Sequence, residues 1–223
     1  MTEQDFGATS IASRHELPAT LPIFPLGGVL LLPRAELPLH IFELRYRAMT
    51  RDALASDNII GMIQPVDPKA EGVQPTVYPV GCAGRITNCR KTDDGRYHYT
   101  LVGLCRFRVK DELPLHDGYR RVDADYAAYE ADLAPPADGV DRARLVALLR
   151  PYCEARGLSA DWSTVEKTAD EKLVSALAMM CPFTPSEKQA LLEAPTIADR
   201  VRVLGMLMEM TVAGSTDAPP VRH

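Results

Sequence analysis

Aromatic residues make up only 6% of the 223-residue chain, with one tryptophan, Trp162. That is too few to lay out an evident base-stacking platform for single-stranded nucleic acid. No stretch approaches the roughly 20 apolar residues that a helix needs to span a bilayer. The opening MTEQDFGATSIASRHE is polar and lacks the apolar run of a signal peptide. These absences lead us to expect a cytoplasmic chain without a membrane partner. The five cysteines (82, 89, 105, 153 and 181) have no C-x-x-C spacing, which argues against both a zinc ribbon and a disulfide framework. The histidines at 15, 40, 98, 116 and 223 show no H-E-x-x-H pattern. Nothing matches G-x-x-x-x-G-K-[ST], so the chain has no recognisable cradle for nucleotide phosphates. No metal, no cofactor and no catalytic residue is expected. Ser186 and Lys188 do not form a dyad, because side chains two apart on a helix do not face each other.

What is present suits a globular core: 46% apolar and 25% charged residues, with a formal charge of −5. The charge is unevenly spread. Residues 81–110 hold Arg85, Arg90, Lys91, Arg96, Arg106, Arg108 and Lys110 against Asp93 and Asp94, a balance of +5 that leaves −10 for the rest.

Periodicity divides the chain. Residues 18–132 read as short strands broken by Gly and Pro: Leu21–Pro25, the apolar run Val29–Leu32, Leu37–Phe42, Ile59–Gln64, and a hairpin of Gly81–Arg90 with Tyr97–Gly103. The hairpin turns at Asp94-Gly95, a pair that tolerates positive φ. Cys105, Phe107 and Val109 then alternate with Arg106, Arg108 and Lys110, and Tyr119–Tyr129 continues the alternation more weakly. One helix, Glu43 to about Ala55, places Tyr46, Met49 and Ala53 on a common face. Residues 138–211 read as helices: one carrying Leu145, Leu149 and Tyr152 around Pro151, a short one with Trp162, and a largely apolar one from Asp170 to Cys181. Thr184-Pro185-Ser186-Glu187 has the parts of a capping box, and Thr196 with Asp199 a looser one. Pro135-Pro136 marks the boundary, and 1–17 and 212–223 read as flexible tails.

Three blocks in register go further. Leu21-Pro22-Ile23-Phe24-Pro25-Leu26 with Leu37-Pro38-Leu39-His40-Ile41-Phe42-Glu43-Leu44-Arg45-Tyr46-Arg47, then Gly81–Ile86 with Gly103–Val109, then Leu177–Leu192, resemble the Lon N-terminal family over roughly 20–211. The resemblance implies an α+β fold: an N-terminal PUA-like β pseudo-barrel with one helix, followed by a C-terminal helical bundle. It also implies a role in recognising substrate polypeptides, separate from the ATPase and Ser-Lys peptidase that continue the full protease. The expected function is a non-catalytic polypeptide-binding or adaptor module. Its expected partners are unfolded or hydrophobic segments, in company with a protease or chaperone system.

The candidate protein-binding residues are Glu43, Leu44, Arg45 and Arg47, which open the helix of the β-rich half. A structural reading competes with this one: Glu43 suits the positive end of a helix, and the two arginines are solvated or paired locally. The alternative function is RNA binding through Arg106, Arg108 and Lys110. Against it stand the acids of 111–132, which could neutralise that face by pairing across strands. His40, inside an apolar run, reads as a hydrogen-bonded structural histidine, and the cysteines as buried thiols.

Overall fold

The computed structural model describes residues 13–67, 69, 74–134 and 140–216. In chain order the elements are β1 (Thr20–Pro25), β2 (Glu36–Ile41), α1 (Leu44–Leu54), β3 (Ile59–Ile63), β4 (Val80–Lys91), β5 (Tyr97–His116), β6 (Tyr119–Asp125), α2 (Arg142–Arg156), α3 (Trp162–Lys167), α4 (Asp170–Met180), α5 (Pro185–Glu193) and α6 (Ile197–Thr216). The fold is α+β.

The strands form one mixed sheet in the order β2-β5-β4-β3-β1-β6. Only β1 and β3 run parallel. β5, at 20 residues, closes the sheet on itself. Its first half pairs with β2, from Glu36↔Val102 to Ile41↔Tyr97, and its second half with β6, from Arg108↔Asp125 to His116↔Tyr119. β3 has a paired strand on either side, so Ile59-Ile60-Gly61-Met62-Ile63 is buried throughout rather than alternating. Leu21, Ile23, Phe107 and Val122 fill the barrel. Phe107 needs glycine beside it: a Cβ at Gly81 would lie 2.6 Å from its ring, and one at Gly61 2.9 Å. The hairpin turn falls where Asp94-Gly95 predicts, with Gly95 at φ +79°.

Two strand expectations are corrected. Val29–Leu32 is no strand: Pro33 ends the run and Arg34 adopts φ +62°. Leu30, Leu31 and Leu32 are buried all the same. The alternation of Tyr119–Tyr129 stops at Asp125, because Tyr126 turns helical (φ −103°, ψ −6°) and Ala127–Leu133 coil into a 3-10 segment.

Contacts gather the chain into two units, one of residues up to 135 together with Phe183–Leu192, the other of 136–182 and 193–223. The sequence reading differs here, since it assigns all of 138–211 to the helical half. The capping box does set α5: the Thr184 N–H donates to Glu187 Oε2 at 2.7 Å, and the Glu187 N–H to Thr184 Oγ1 at 3.4 Å. That helix belongs with the barrel because its polar residues find partners there. Lys188 Nζ donates to the Gly28 carbonyl at 2.8 Å and Gln189 Nε2 to the Val80 carbonyl at 3.0 Å. Gln64 Nε2 donates to Gln189 Oε1 at 3.2 Å. Lys188 and Gln189 are buried alongside Leu191 and Leu192, so both the apolar and the polar residues of α5 serve the barrel.

In the helical unit Asp141 caps α2 and Gly157, at φ +62°, ends it. Arg142 ties α2 to the following segment, donating to the Thr168 and Glu166 carbonyls at 2.9 Å each and pairing with Asp170. Arg150 stacks 4.1 Å from the Trp162 ring. Leu204 and Met208 of α6 are fully buried, and the Asp199 N–H donates to Thr196 Oγ1 at 3.1 Å at its start. α4 is less enclosed than its composition suggests, because Met180 is 81% exposed. The tails are shorter than expected, with a 3-10 turn at Arg14–Glu16 and α6 running to Thr216. Residues 1–12, 217–223 and the Pro135-Pro136 boundary lie outside the described residues. No described helix is long and apolar enough to cross a membrane.

Candidate functional site

Ile41 ends β2 inside the core, and the next three residues turn out of it. Phe42 is 58% exposed and Leu44 78%. Glu43 stands between them at the helix N-cap with φ −66° and ψ 137°. Its carboxylate makes no capping bond there; it accepts from Arg45 Nε at 3.0 Å and pairs with the other guanidinium nitrogen at 2.9 Å. Arg45 also lies over the Tyr46 ring, 4.5 Å from the centroid. Arg47, one turn on from Leu44, packs its guanidinium against Gly95 of the β4–β5 turn. Tyr46 is core: it is buried and meets Phe24 at 4.3 Å. The four candidate residues thus sit together at the mouth of α1, where Arg45 spends its charge on Glu43.

The apolar surface continues along β2. His40 and His98 are directly opposed across the β2–β5 pair and stack with centroids 4.2 Å apart and planes 6° apart, while Phe42 is 5.7 Å from His40. The expectation of a structural histidine in the apolar run is corrected, because His40 is exposed. Strand parity explains it. Leu39 and Ile41 point one way and Pro38, His40 and Phe42 the other, so the run of mixed letters splits into two faces.

The cationic stripe is also corrected. Arg106 is 3% exposed. Its Nε donates to Asp132 Oδ2 at 2.9 Å and its second terminal nitrogen to Oδ1 at 2.8 Å, while its backbone N–H also donates to Oδ2 at 2.9 Å. Nη1 donates to the Leu192 carbonyl at 3.0 Å, and the guanidinium lies 4.7 Å from the Tyr129 ring centroid. The outer face of β5 is covered at this point by the 3-10 segment and by the end of α5, so alternation alone cannot place the residue in solvent. Arg108 and Lys110 remain exposed, with Arg108 opposite Asp125. Two cations beside acids do not make the three-cation stripe.

Among the described residues one group has the composition and spacing of metal ligands: Asp52, His116 and Asp117, with donor atoms within 4.8 Å of one another. Arg51 already bridges its two carboxylates, donating to Asp52 Oδ1 at 2.7 Å and Asp117 Oδ2 at 2.8 Å. The Arg51 contact holds the Asp52 carboxyl below its ordinary range. The cysteines do not converge: Cys82 lies opposite Arg106 and Cys105 opposite Ala83. Burial pushes the Cys105 thiol up to about 12, and four of the five thiols are buried, with Cys89 the partly accessible one. A thiolate is the reactive species. An aromatic disulfide reagent at mild alkaline pH is therefore expected to modify Cys89 first and the other four only in denaturant, and a second thiol reacting equally fast would contradict this packing.

Residues 20–209 match the family described as the ATP-dependent protease La (LON) substrate-binding domain. The chain is 30% identical over 205 residues to Lon protease 2 of Myxococcus xanthus, covering 87% of this chain and 24% of that protein. It is 26% identical over 204 residues to Lon protease 2 of Thermus thermophilus, covering 88% and 25%. It thus spans about a quarter of the length of these relatives. The fold is that of a Lon N-terminal domain protein from Xanthomonas campestris (TM-score 0.56, 23% identity, 85% of this chain and 97% of that one). It also matches the N-terminal domain of a Lon protease from the Mycobacterium avium complex (TM-score 0.58, 18% identity, 85% and 98%). With the family match spanning most of its length, the chain belongs to the LON substrate-binding domain family.

Proposed function

We propose that this chain holds unfolded or hydrophobic polypeptide segments without cutting them, as a recognition module or adaptor for a protease or chaperone system, and that it grips them at the mouth of α1. The observation that carries this is the pair Phe42 and Leu44, 58% and 78% exposed on either side of Glu43. Single exposed apolar residues are ordinary. An exposed aromatic and an exposed leucine two residues apart, the aromatic beside a stacked histidine pair, make a surface with a gain to collect from a partner. Burying each side chain fully is worth about 1.5–3 kcal/mol before the cost of ordering the ligand. The affinity is therefore modest, with Kd in about the micromolar range or weaker. It depends little on salt, because the nearest charges, Glu43 and Arg45, satisfy each other.

The test is a pair of substitutions, Phe42→Ser and Leu44→Ser, made together. Both side chains project from the fold, so the thermal midpoint should hold. Binding to a denatured model protein should fall about tenfold or more, and the purified protein should leave casein intact. Unchanged binding by the double variant would place the grip elsewhere. The RNA alternative is not carried forward, because it relied on Arg106 at the surface.

A further inference from the structure

The helical unit has a concave surface of its own. The first two turns of α2 and of α6 lie side by side, and Leu145, Leu148, Ala198, Val201 and Gly205 form the floor of the groove between them. Gly205 keeps it open: a Cβ there would already come within 3.1 Å of Leu148 Cδ1, and any longer side chain would enter the groove.

The rim is polar and carries Asp141, Arg144 and Arg202. Asp141 accepts the Arg144 N–H through Oδ1 at 3.0 Å as the α2 cap. Asp199 accepts from Arg202 at 2.8 Å and from the Thr196 hydroxyl at 2.7 Å. That contact uses one of the five N–H donors of Arg202. The Arg144 guanidinium makes no ion pair or hydrogen bond with any described residue, and Asp141 Oδ2 receives none. The groove therefore presents an apolar floor, an unengaged guanidinium and one spare carboxylate oxygen.

An apolar body with a single carboxylate matches the floor and Arg144, and two sources have that chemistry: a fatty acid and the C-terminus of a polypeptide. Length and the spare acceptor separate them. From Asp141 to Leu148 the wall rises about 10 Å at 1.5 Å per residue. Two or three extended residues cover about 7–10 Å, whereas a long acyl chain overruns the groove. A peptide also brings backbone N–H donors for Asp141 Oδ2, which an acyl chain lacks. We infer that this groove binds the last two or three residues of a polypeptide ending in aliphatic side chains, with the terminal carboxylate on Arg144 and Arg202. The ligand class is that of the function proposed above, but the residues and the unit are different, so either site can fail alone.

The experiment uses the full chain and an N-terminally fluorescent octapeptide ending in Ala-Val-Leu, read by anisotropy. The free acid should bind. Its C-terminal amide should bind about tenfold more weakly, and Arg144→Gln should lose the same factor against the acid while leaving the amide unaffected. The Phe42→Ser/Leu44→Ser variant should bind the acid as the parent chain does. Equal binding of acid and amide overturns the inference, and so does indifference to Arg144→Gln. Loss of binding in the Phe42/Leu44 variant overturns it too, since the peptide is then held at α1 and the function proposed above still stands. Decanoate binding where the acid peptide does not would mark a lipid groove instead. Should Arg144→Gln disturb the fold by circular dichroism, the acid–amide comparison in the parent chain still decides.

Discussion

Replacing Arg106 by alanine is expected to remove about 3–5 kcal/mol of folding stability, because it leaves the Asp132 carboxylate buried without its cation. Domains of this kind have about 5–15 kcal/mol in total, so the variant should populate unfolded chain at room temperature or fail to accumulate. The cost arises from several broken contacts at once: the two-pronged ion pair with Asp132, the bond to the Leu192 carbonyl and the packing on Tyr129. Asp132→Ala should be comparably damaging. Arg106→Met combined with Asp132→Leu should recover much of the loss, since apolar replacement of both partners removes the desolvation penalty with the charges. Arg108→Ala, two residues along the same strand and exposed, should change stability by no more than about 0.5 kcal/mol. Urea titrations of the four variants check this. If Arg106→Ala and Arg108→Ala proved equally mild, Arg106 would have to face solvent after all.

The second large effect concerns α5. A chain ending at Ala134, which holds every strand of the barrel, should not fold cooperatively. Without α5 the Gln64 amide loses Gln189 and Pro185, and the carbonyls of Val80 and Gly28 lose their donors. These groups exchange protein partners for water, at a net cost of about 0.5–1.5 kcal/mol for each bond lost. The apolar surface that Leu191 and Leu192 cover is exposed as well, and both are at most 2% accessible in the fold. Circular dichroism and thermal melting of the fragment should show a broad transition or aggregation. Joining 183–193 to it through a Gly/Ser linker should restore a sharp one. A fragment that melts as cooperatively as the linked chain would reduce α5 to a bystander.

Most of the elements were legible because they rest on local signals. Period two marked β4 and β5, Asp94-Gly95 marked their turn, and the Thr184–Glu187 box marked the start of α5. The same local logic could not say where an element goes. Polar residues on a helix read as its solvent face, yet Lys188 and Gln189 are the side chains that dock α5 on the barrel. Alternation placed Arg106 outward correctly, and only the tertiary cover over that face makes outward mean buried. Asp132 was visible as one acid among seven between 111 and 132, and nothing in its neighbours distinguishes the one that meets Arg106. At the candidate site the residues at the mouth of α1 followed from the family blocks, whereas the exposure of Phe42 and its proximity to His40 did not. An apolar residue after a buried Ile41 reads as more core until the chain is seen to turn.

The place of α5 in the chain has a consequence for biosynthesis. The β-rich unit takes its last piece from residues 183–192, after the segment 136–182 that belongs to the other unit. A ribosome adding about 5–20 residues per second needs roughly 3–12 s to go from the end of β6 and its 3-10 segment to the end of α5. Throughout that interval the nascent chain holds every strand of the barrel but not its plug. Its Gly28, Val80 and Gln64 polar groups and the bed of Leu191 and Leu192 stay open to whatever waits at the exit tunnel. During its own synthesis this chain is thus expected to display the kind of unfinished surface it is proposed to recognise in others.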